Sequence, residues 1–305
     1  MNAVEVRGLS YRYDRTDALR DIDLEIPEGA LYALLGRNGS GKTTLLQTLI
    51  GLKRPRTGHV TLFGTDRAAL TWHDRMSIGY VAEGQSLPVW MKIEELERYL
   101  APLYPTWDAD LANKLRDRFS LDATRRIRTL SRGEYMKAAL LVALAPRPRL
   151  LLMDEPFTGM DAIVKDELVR GLLESAGAEG WTVMLSSHDI GELELLADWV
   201  GLLDGGRLIL SEPMESLRGR FKHVDVVLRD AAPPAAPTPA DWLGVERAGS
   251  HVSFVTSRGG DGALLEGAVR SEFPNIGRLE TRDATLREVF VALAKPSVRT
   301  MREAA

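Results

Sequence analysis

Gly36-Arg37-Asn38-Gly39-Ser40-Gly41-Lys42-Thr43-Thr44 is the stretch that decides the fold. It matches the pattern G-x-x-x-x-G-K-[ST] and stands between a short apolar run, residues 31–35, and a helical pattern over 42–50. Strand, glycine-rich turn and helix in that order make a cradle for phosphate. Glycines reach backbone conformations closed to other residues, so successive N–H groups converge on one anion. The N-terminus of the following helix adds its dipole. In such a cradle Lys42 reaches the β- and γ-phosphates of a nucleoside triphosphate, and Thr43 ligates Mg2+.

Further apolar runs at 150–153, 182–185 and 200–203 alternate with helical patterns. Apolar strands separated by helices predict a parallel sheet covered on both faces. Residues 88–145 differ, with helical patterns over 93–100 and 108–119, and read as a helical subdomain inserted between two strands. The first of those later runs ends in Leu152-Met153-Asp154-Glu155-Pro156. A carboxylate at the C-terminal end of a buried strand faces the ligand crevice of an open α/β sheet. Asp154 suits a Mg2+ role through water, and Glu155 is placed to polarise an attacking water.

Two shorter constellations have plainer readings of their own. Ser131 and Glu134, in Leu130-Ser131-Arg132-Gly133-Glu134, have the spacing of a capping box that opens a helix over 135–144. A capped N-terminus also presents N–H groups to phosphate, so both roles are compatible. His188, in Ser186-Ser187-His188-Asp189, follows the 182–185 strand. A lone histidine is commonly structural, but this one lies at the same sheet edge as Asp154.

Composition sets the limits. The 305 residues carry 39 Lys plus Arg against 43 Asp plus Glu, a net charge of −4, with 45% hydrophobic residues and no cysteine. Disulfides, thiolate metal sites and a thiol nucleophile are excluded. The acidic balance argues against a nucleic-acid coat, and no nucleic-acid partner is expected. No apolar run approaches the roughly 20 residues of a spanning helix, and the N-terminus lacks a signal-peptide pattern. The chain therefore reads as soluble and cytoplasmic, with any membrane part supplied by another chain.

The ordered set GRNGSGKTT, LSRGE, LLLMDEP, TGMD and SSHD resembles the nucleotide-binding subunit of ABC transporters over residues 4–217. The resemblance implies a P-loop NTPase cassette of α/β class that binds ATP and Mg2+ and hydrolyses ATP. It implies that Gly36–Thr44 hold the nucleotide, with Arg37, Asn38, Gly39, Ser40 and Gly41 in the loop, and that Glu155, His188 and Lys42 are catalytic. His188 would be the switch histidine at the γ-phosphate. Ser131, Arg132, Gly133 and Glu134 form the signature that meets ATP on a partner subunit, and Asp161 lies at the dimer interface. Tyr13 resembles the adenine-stacking aromatic, with Tyr11 on the same strand face as the alternative. The implied partners are a second ATPase subunit, identical or different, and a separate transmembrane permease. That places the chain at the inner face of the cell membrane, with aromatics Trp90, Tyr99, Tyr104 and Trp107 as a candidate contact surface.

Two segments depart from the family pattern. Arg132 and Glu134 stand where the signature usually has Gly and Gln, while Ser131 and Gly133 are retained. Glu83, in Ile78-Gly79-Tyr80-Val81-Ala82-Glu83, stands where the family usually has a metal-binding Gln; Gln85 is two residues later. A carboxylate serves a hard cation as well as an amide oxygen does. Such a Glu, and the closing helix at residues 284–290, resemble ATPases of the ABC-2 type export systems.

The expected domains are a cassette at 1–217, with its helical subdomain at about 88–145, and an accessory α+β domain at 218–305. The latter carries strand patterns at 224–227 and 251–255, a helix over 262–272, a helix over 285–293 and a Pro/Ala loop at 231–240. The competing function is an ABC ATPase that acts on a soluble macromolecular complex. Such proteins usually carry long heptad insertions or tandem cassettes, and neither is present. A P-loop kinase would leave Glu155, residues 130–134 and His188 without roles.

Overall fold

The computed structural model describes residues 1–189, 191, 193–194, 197–230 and 239–294. The chain opens with two long antiparallel strands, β1 (Asn2–Tyr13) and β2 (Thr16–Pro27). Next come β3 (Leu31–Leu35), α1 (Lys42–Leu49), β4 (Thr57–Leu62), β5 (Thr65–Asp66), α2 (Trp72–Met76) and β6 (Ile78–Val81). Three helices, α3 (Ile93–Leu100), α4 (Ala109–Arg118) and α5 (Arg132–Leu144), precede β7 (Leu150–Asp154). Then follow α6 (Ala162–Glu179), β8 (Thr182–Ser187), β9 (Trp199–Asp204) and β10 (Arg207–Pro213).

Two sheets result. The larger runs β10-β9-β3-β8-β7-β6, and the pairs joining β9, β3, β8, β7 and β6 are parallel. Every residue of β3, β7 and β8 is buried, which is why β3, β7 and the middle of β8 read as apolar runs. The smaller, antiparallel sheet runs β2-β1-β4-β5. Val4, Val6, Leu9, Leu24, Ile26 and Leu62 of this sheet share a core with Leu45, Leu46 and Leu49 of α1. That apolar seat holds α1 with its N-terminus at the C-terminal edge of the parallel sheet, where Leu35, Asp154 and Ser187 end their strands.

Residues 1–189 and 196–211 form one compact unit, and residues 190–195 with 212–305 form a second. The second holds α7 (Met214–Arg220), β11 (Lys222–Leu228), β12 (Trp242–Ala248), β13 (His251–Thr256), α8 (Gly262–Glu272), β14 (Ile276–Asp283) and α9 (Leu286–Ala294). Its antiparallel sheet runs β12-β13-β11-β14. Trp242 stacks on Phe254 at 4.0 Å between centroids, and Leu265 and Val269 of α8 close the core with Phe273. Glu194 belongs to this unit because its carboxylate accepts the Leu286 N–H at 3.1 Å and its carbonyl accepts from Arg218 at 2.6 Å. Residues 231–238 of the expected Pro/Ala loop lie outside the described residues.

Candidate nucleotide site

The 36–41 loop leaves β3 and enters α1 through Gly41, whose φ of 109° is closed to side-chain-bearing residues. A Cβ there would stand 2.5 Å from the Ala18 carbonyl oxygen. Among the described residues no side chain caps the start of α1, so its first N–H groups are left for a ligand. Lys42 is only 6% exposed; its Nζ donates to Gly36 O at 2.7 Å and pairs with Glu155 Oε1 at 3.1 Å. The Ser40 hydroxyl is buried without a hydrogen-bond partner among the described residues, an orphaned polar atom inside the loop. Thr43 faces solvent, while Thr44 is buried. At the far end of α1, Arg67 donates to Thr48 O at 3.1 Å and Lys53 O at 3.2 Å, placing a cation where the helix dipole is negative.

Asp154 ends β7 almost fully buried, and its Oδ1 accepts from Ser186 Oγ at 2.8 Å. The same Ser186 oxygen accepts the Glu155 N–H at 3.0 Å. Parallel register sets Asp154 directly against Ser186, so one hydroxyl from β8 ties down both acids. Glu155 itself has φ 48°, a left-handed conformation that costs a residue with a side chain about 1–2 kcal/mol. Its Oε2 lies 2.8 Å from His188 Nδ1 and 3.3 Å from Thr158 Oγ1, and Oε1 meets Lys42. Burial pushes the Glu155 carboxyl up, but hydrogen bonds from His188 and Lys42 and the charge of Lys42 outweigh it. The net is a carboxyl held below its ordinary value, hence ionised at neutral pH.

Tyr13 is 43% exposed, with its hydroxyl 3.4 Å from Thr44 Oγ1 and its ring edge-on to Tyr11 at 4.9 Å. Lys53 Nζ stands 4.6 Å from the Tyr13 centroid and 5.4 Å from that of Tyr11. Partial burial raises the Tyr13 phenol, and Lys53 and Thr44 bring it below its ordinary value. Sequence reasoning gave no role to Lys53 or Ser186. The signal for Ser186 was its place at the end of an apolar strand, but the partner depends on strand order and register.

The 131–134 segment caps α5. Ser131 Oγ accepts the Glu134 N–H at 3.2 Å, and Glu134 Oε2 accepts the Ser131 N–H at 2.8 Å. Glu134 also pairs with Arg125. Gly133 is buried, and a Cβ on it would meet Val164 Cγ1 at 2.5 Å, so packing alone demands glycine. Asp161 Oδ1 accepts the Val164 N–H at 3.0 Å at the start of α6. The loop after β6 leaves Glu83 exposed, whereas Gln85 Oε1 accepts the Ala82 N–H at 3.2 Å and Gln85 O accepts from Tyr135 at 2.6 Å. Among the described residues no hydrogen bond or ion pair joins 131–134 to the 36–44 loop. One chain thus brings together Tyr13, the loop, Asp154, Glu155 and His188, and leaves the 131–134 segment outside that set of contacts.

Loop, buried strand-end acids and flanking parallel sheet define a P-loop nucleoside triphosphatase. The family model described as "ABC transporter" matches residues 19–158. The aliphatic sulfonates import ATP-binding protein SsuB of Mycobacterium avium (strain 104) is 36% identical over 214 residues, covering 68% of this chain and 80% of that protein. The ABC transporter ATP-binding protein YtrB of Bacillus subtilis (strain 168) is 27% identical over 225 residues, 73% of this chain and 76% of that protein. A solved structure described as the ATP-binding subunit of an ABC transporter superposes with a TM-score of 0.63 at 27% identity, covering 71% of this chain and 92% of that one. The chain belongs to the ATP-binding subunits of ABC transporters, and it is an ATPase. Subunits of this family dimerise and work with a transmembrane permease. Among the described residues no helix is long and apolar enough to cross a membrane.

Proposed function

We propose that this chain is the motor of an ABC transporter in which two ATPase subunits close around two ATP molecules and move substrate through a separate permease. The observation that carries the reading is the convergence of Lys42, Glu155 and His188 at the mouth of the 36–41 loop, with Asp154 fixed beside them by Ser186. Phosphates entering the loop take over Lys42, which in the free chain is held by Gly36 O and Glu155. That exchange releases one oxygen of Glu155 while His188 keeps the other.

Glu155 then accepts a proton from the attacking water. The water oxygen bonds to the γ-phosphorus, the bond to the β–γ bridging oxygen breaks, and ADP and phosphate leave. The oxygen donors for Mg2+ fit a hard cation: the exposed Thr43 hydroxyl, the buried Asp154 carboxylate and the exposed Glu83 carboxylate. Mg2+ would supply charge neutralisation at the β- and γ-phosphates. Glu83 is the better candidate than Gln85, whose side-chain oxygen is already used by its own loop. Tyr13, beside Thr44, offers an exposed ring on which adenine would stack.

Among the described residues the 131–134 signature makes no hydrogen bond or ion pair with the 36–44 loop, which suits a site completed by a second subunit. Asp161, beside α6, would lie on that interface. The permease contact falls to the helical segment 88–145, where Val89, Trp90, Tyr99 and Leu103 are 49–65% exposed; Tyr104 and Trp107 are half-buried. The cassette and accessory domain divide at about residue 217 in this reading, with the second unit as an appended domain. Export is the proposed direction, supported by the resemblance of Glu83 and residues 284–290 to ABC-2 type export ATPases. Import is what the printed name of the sulfonate relative favours for that protein. Reconstitution with the permease decides it by which side of a vesicle gains substrate. Purified chain should release phosphate from Mg-ATP, and Lys42→Ala should abolish both binding and release. Phosphate appearing on an organic acceptor would instead make the chain a kinase.

A further inference from the structure

Lys53 is one of three cations in Lys53-Arg54-Pro55-Arg56, the segment that follows α1. Its backbone is fixed without help from its side chain. Lys53 N donates to Gln47 O at 3.2 Å, Lys53 O accepts from Arg67 at 3.2 Å, and Arg56 N donates to Ser10 O of β1 at 2.8 Å. These bonds lay the segment beside β1, where the Lys53 side chain meets Tyr11 and Tyr13. Its ammonium stands in the corner between the two rings, 4.6 Å from the Tyr13 centroid and 5.4 Å from that of Tyr11. The rings themselves are 4.9 Å apart at an interplanar angle of 67°.

No carboxylate accounts for this placement: the groups that act on the ammonium are the two phenols. A hydrogen bond with Tyr13 holds Lys53 above its ordinary value against slight burial, so it is a cation throughout the neutral range. The Tyr13 hydroxyl also reaches Thr44 Oγ1 at 3.4 Å. The tip of one ring is thus tied both to the chain after α1 and to the first turn of α1, which the phosphate loop enters. Tyr11 and the ammonium cover part of the ring, yet 43% of Tyr13 stays exposed. A ring fixed at its tip and open to solvent, beside a phosphate loop, is a surface prepared for a flat partner.

We propose that Lys53 is a positioning residue for the nucleotide base: its ammonium holds Tyr13 in one orientation, with a face open to the adenine of ATP whose phosphates enter the 36–44 loop. This rests on the reading of Tyr13 as the stacking ring. A tyrosine at the end of a strand loses rotamer freedom when a base settles on it, and a ring already held by a cation loses less. The lysine itself touches neither phosphate nor base, so its effect falls on affinity and depends on the base being present.

The test measures KM and kcat for Mg-ATP in the full chain carrying Lys53→Met, Lys53→Arg or Tyr13→Ala. Alongside them it measures the inhibition constant of Mg-tripolyphosphate, which has the phosphates and no base. Lys53→Met keeps the length and loses the charge. It is expected to raise KM about three- to fivefold and move kcat less than about twofold, with the tripolyphosphate constant unchanged. Lys53→Arg, which keeps a cation over the rings, recovers most of the affinity. Adding Lys53→Met to Tyr13→Ala changes nothing further, because the ammonium acts through the ring. Equal weakening of ATP and tripolyphosphate overturns the proposal, since Lys53 would then serve the phosphates or the fold. A KM in Lys53→Met within about 1.5-fold of the unsubstituted chain also overturns it. So does a lower KM, which would make the lysine an occupant that ATP must displace. The stacking reading fails separately. An unchanged KM in Tyr13→Ala removes the stacking ring and the proposal with it; a raised KM there, with Lys53→Met unaffected, removes only the lysine.

Discussion

Ser186→Ala removes one oxygen that serves both strand-end acids. Its hydroxyl donates to Asp154 Oδ1 at 2.8 Å and accepts the Glu155 N–H at 3.0 Å, with the residue fully buried. A hydrogen bond to a charged group is worth about 1.5–3 kcal/mol, and a buried N–H left without a partner costs about 1–3 kcal/mol. Because a single atom carries both, the losses overlap, and the expected destabilisation is about 3 kcal/mol. That is a large share of the roughly 5–15 kcal/mol by which domains are stable. The neighbouring Ser187 is the internal control, since among the described residues its hydroxyl only closes a local turn with Asp189, accepting its N–H at 2.9 Å. Urea denaturation without nucleotide gives the comparison, with Ser187→Ala expected to cost about 1 kcal/mol or less. Turnover in Ser186→Ala should fall about tenfold or more, since 1.4 kcal/mol of lost positioning is already a factor of ten. If Ser186→Ala costs no more than Ser187→Ala, the hydroxyl does not anchor the acids and the geometry has been misread.

Glu83→Gln should keep Mg2+-dependent ATP hydrolysis, and Gln85→Ala should change little; equally severe losses from Gln85→Ala would place the metal-side residue at 85. In the second unit, the hydrogen bond from Arg282 holds Glu288 at about 2, against its burial and with help from the Thr285 N–H. Its ordinary value is 4.5, so its stabilisation is complete above about pH 4.5 and lost as pH falls through about 2. Denaturation curves of Glu288→Gln and the unsubstituted chain should therefore differ near neutral pH and converge in acid; a gap independent of pH would exclude the ion pair as its source.

The parallel sheet was legible because burial on both faces leaves a one-dimensional trace. β3 and β7 are apolar at nearly every position and β8 over residues 183–185, and α3 begins and ends where its apolar spacing places it, as α8 does between its flanking turn signals. The capping box of Ser131 and Glu134 was equally local and forms as read. The antiparallel sheet of β1, β2 and β4 was not legible beyond the strand face that carries Tyr11 and Tyr13. Its strands are buried on one face only, and β2 interleaves Asp21, Asp23 and Glu25 with Ile22, Leu24 and Ile26. The same one-sided pattern hid β12 and β14, the latter carrying four charged residues in eight. At the site, the loop and the acids are contiguous and could be read directly. Ser186 and Lys53 could not, since what they touch depends on register between β7 and β8 and on the course of the chain after α1. The left-handed turn of Glu155 likewise leaves no mark in the residue type.

The central claim is that catalysis needs two subunits closed around ATP, and the Glu155→Gln chain tests it most directly. Without the proton acceptor, turnover should fall about 10²- to 10⁴-fold while nucleotide still binds. Light scattering after size exclusion, with and without saturating Mg-ATP, then reads the state of the chain. The account predicts a dimer with Mg-ATP and a smaller species without it. A monomer in both conditions would contradict it.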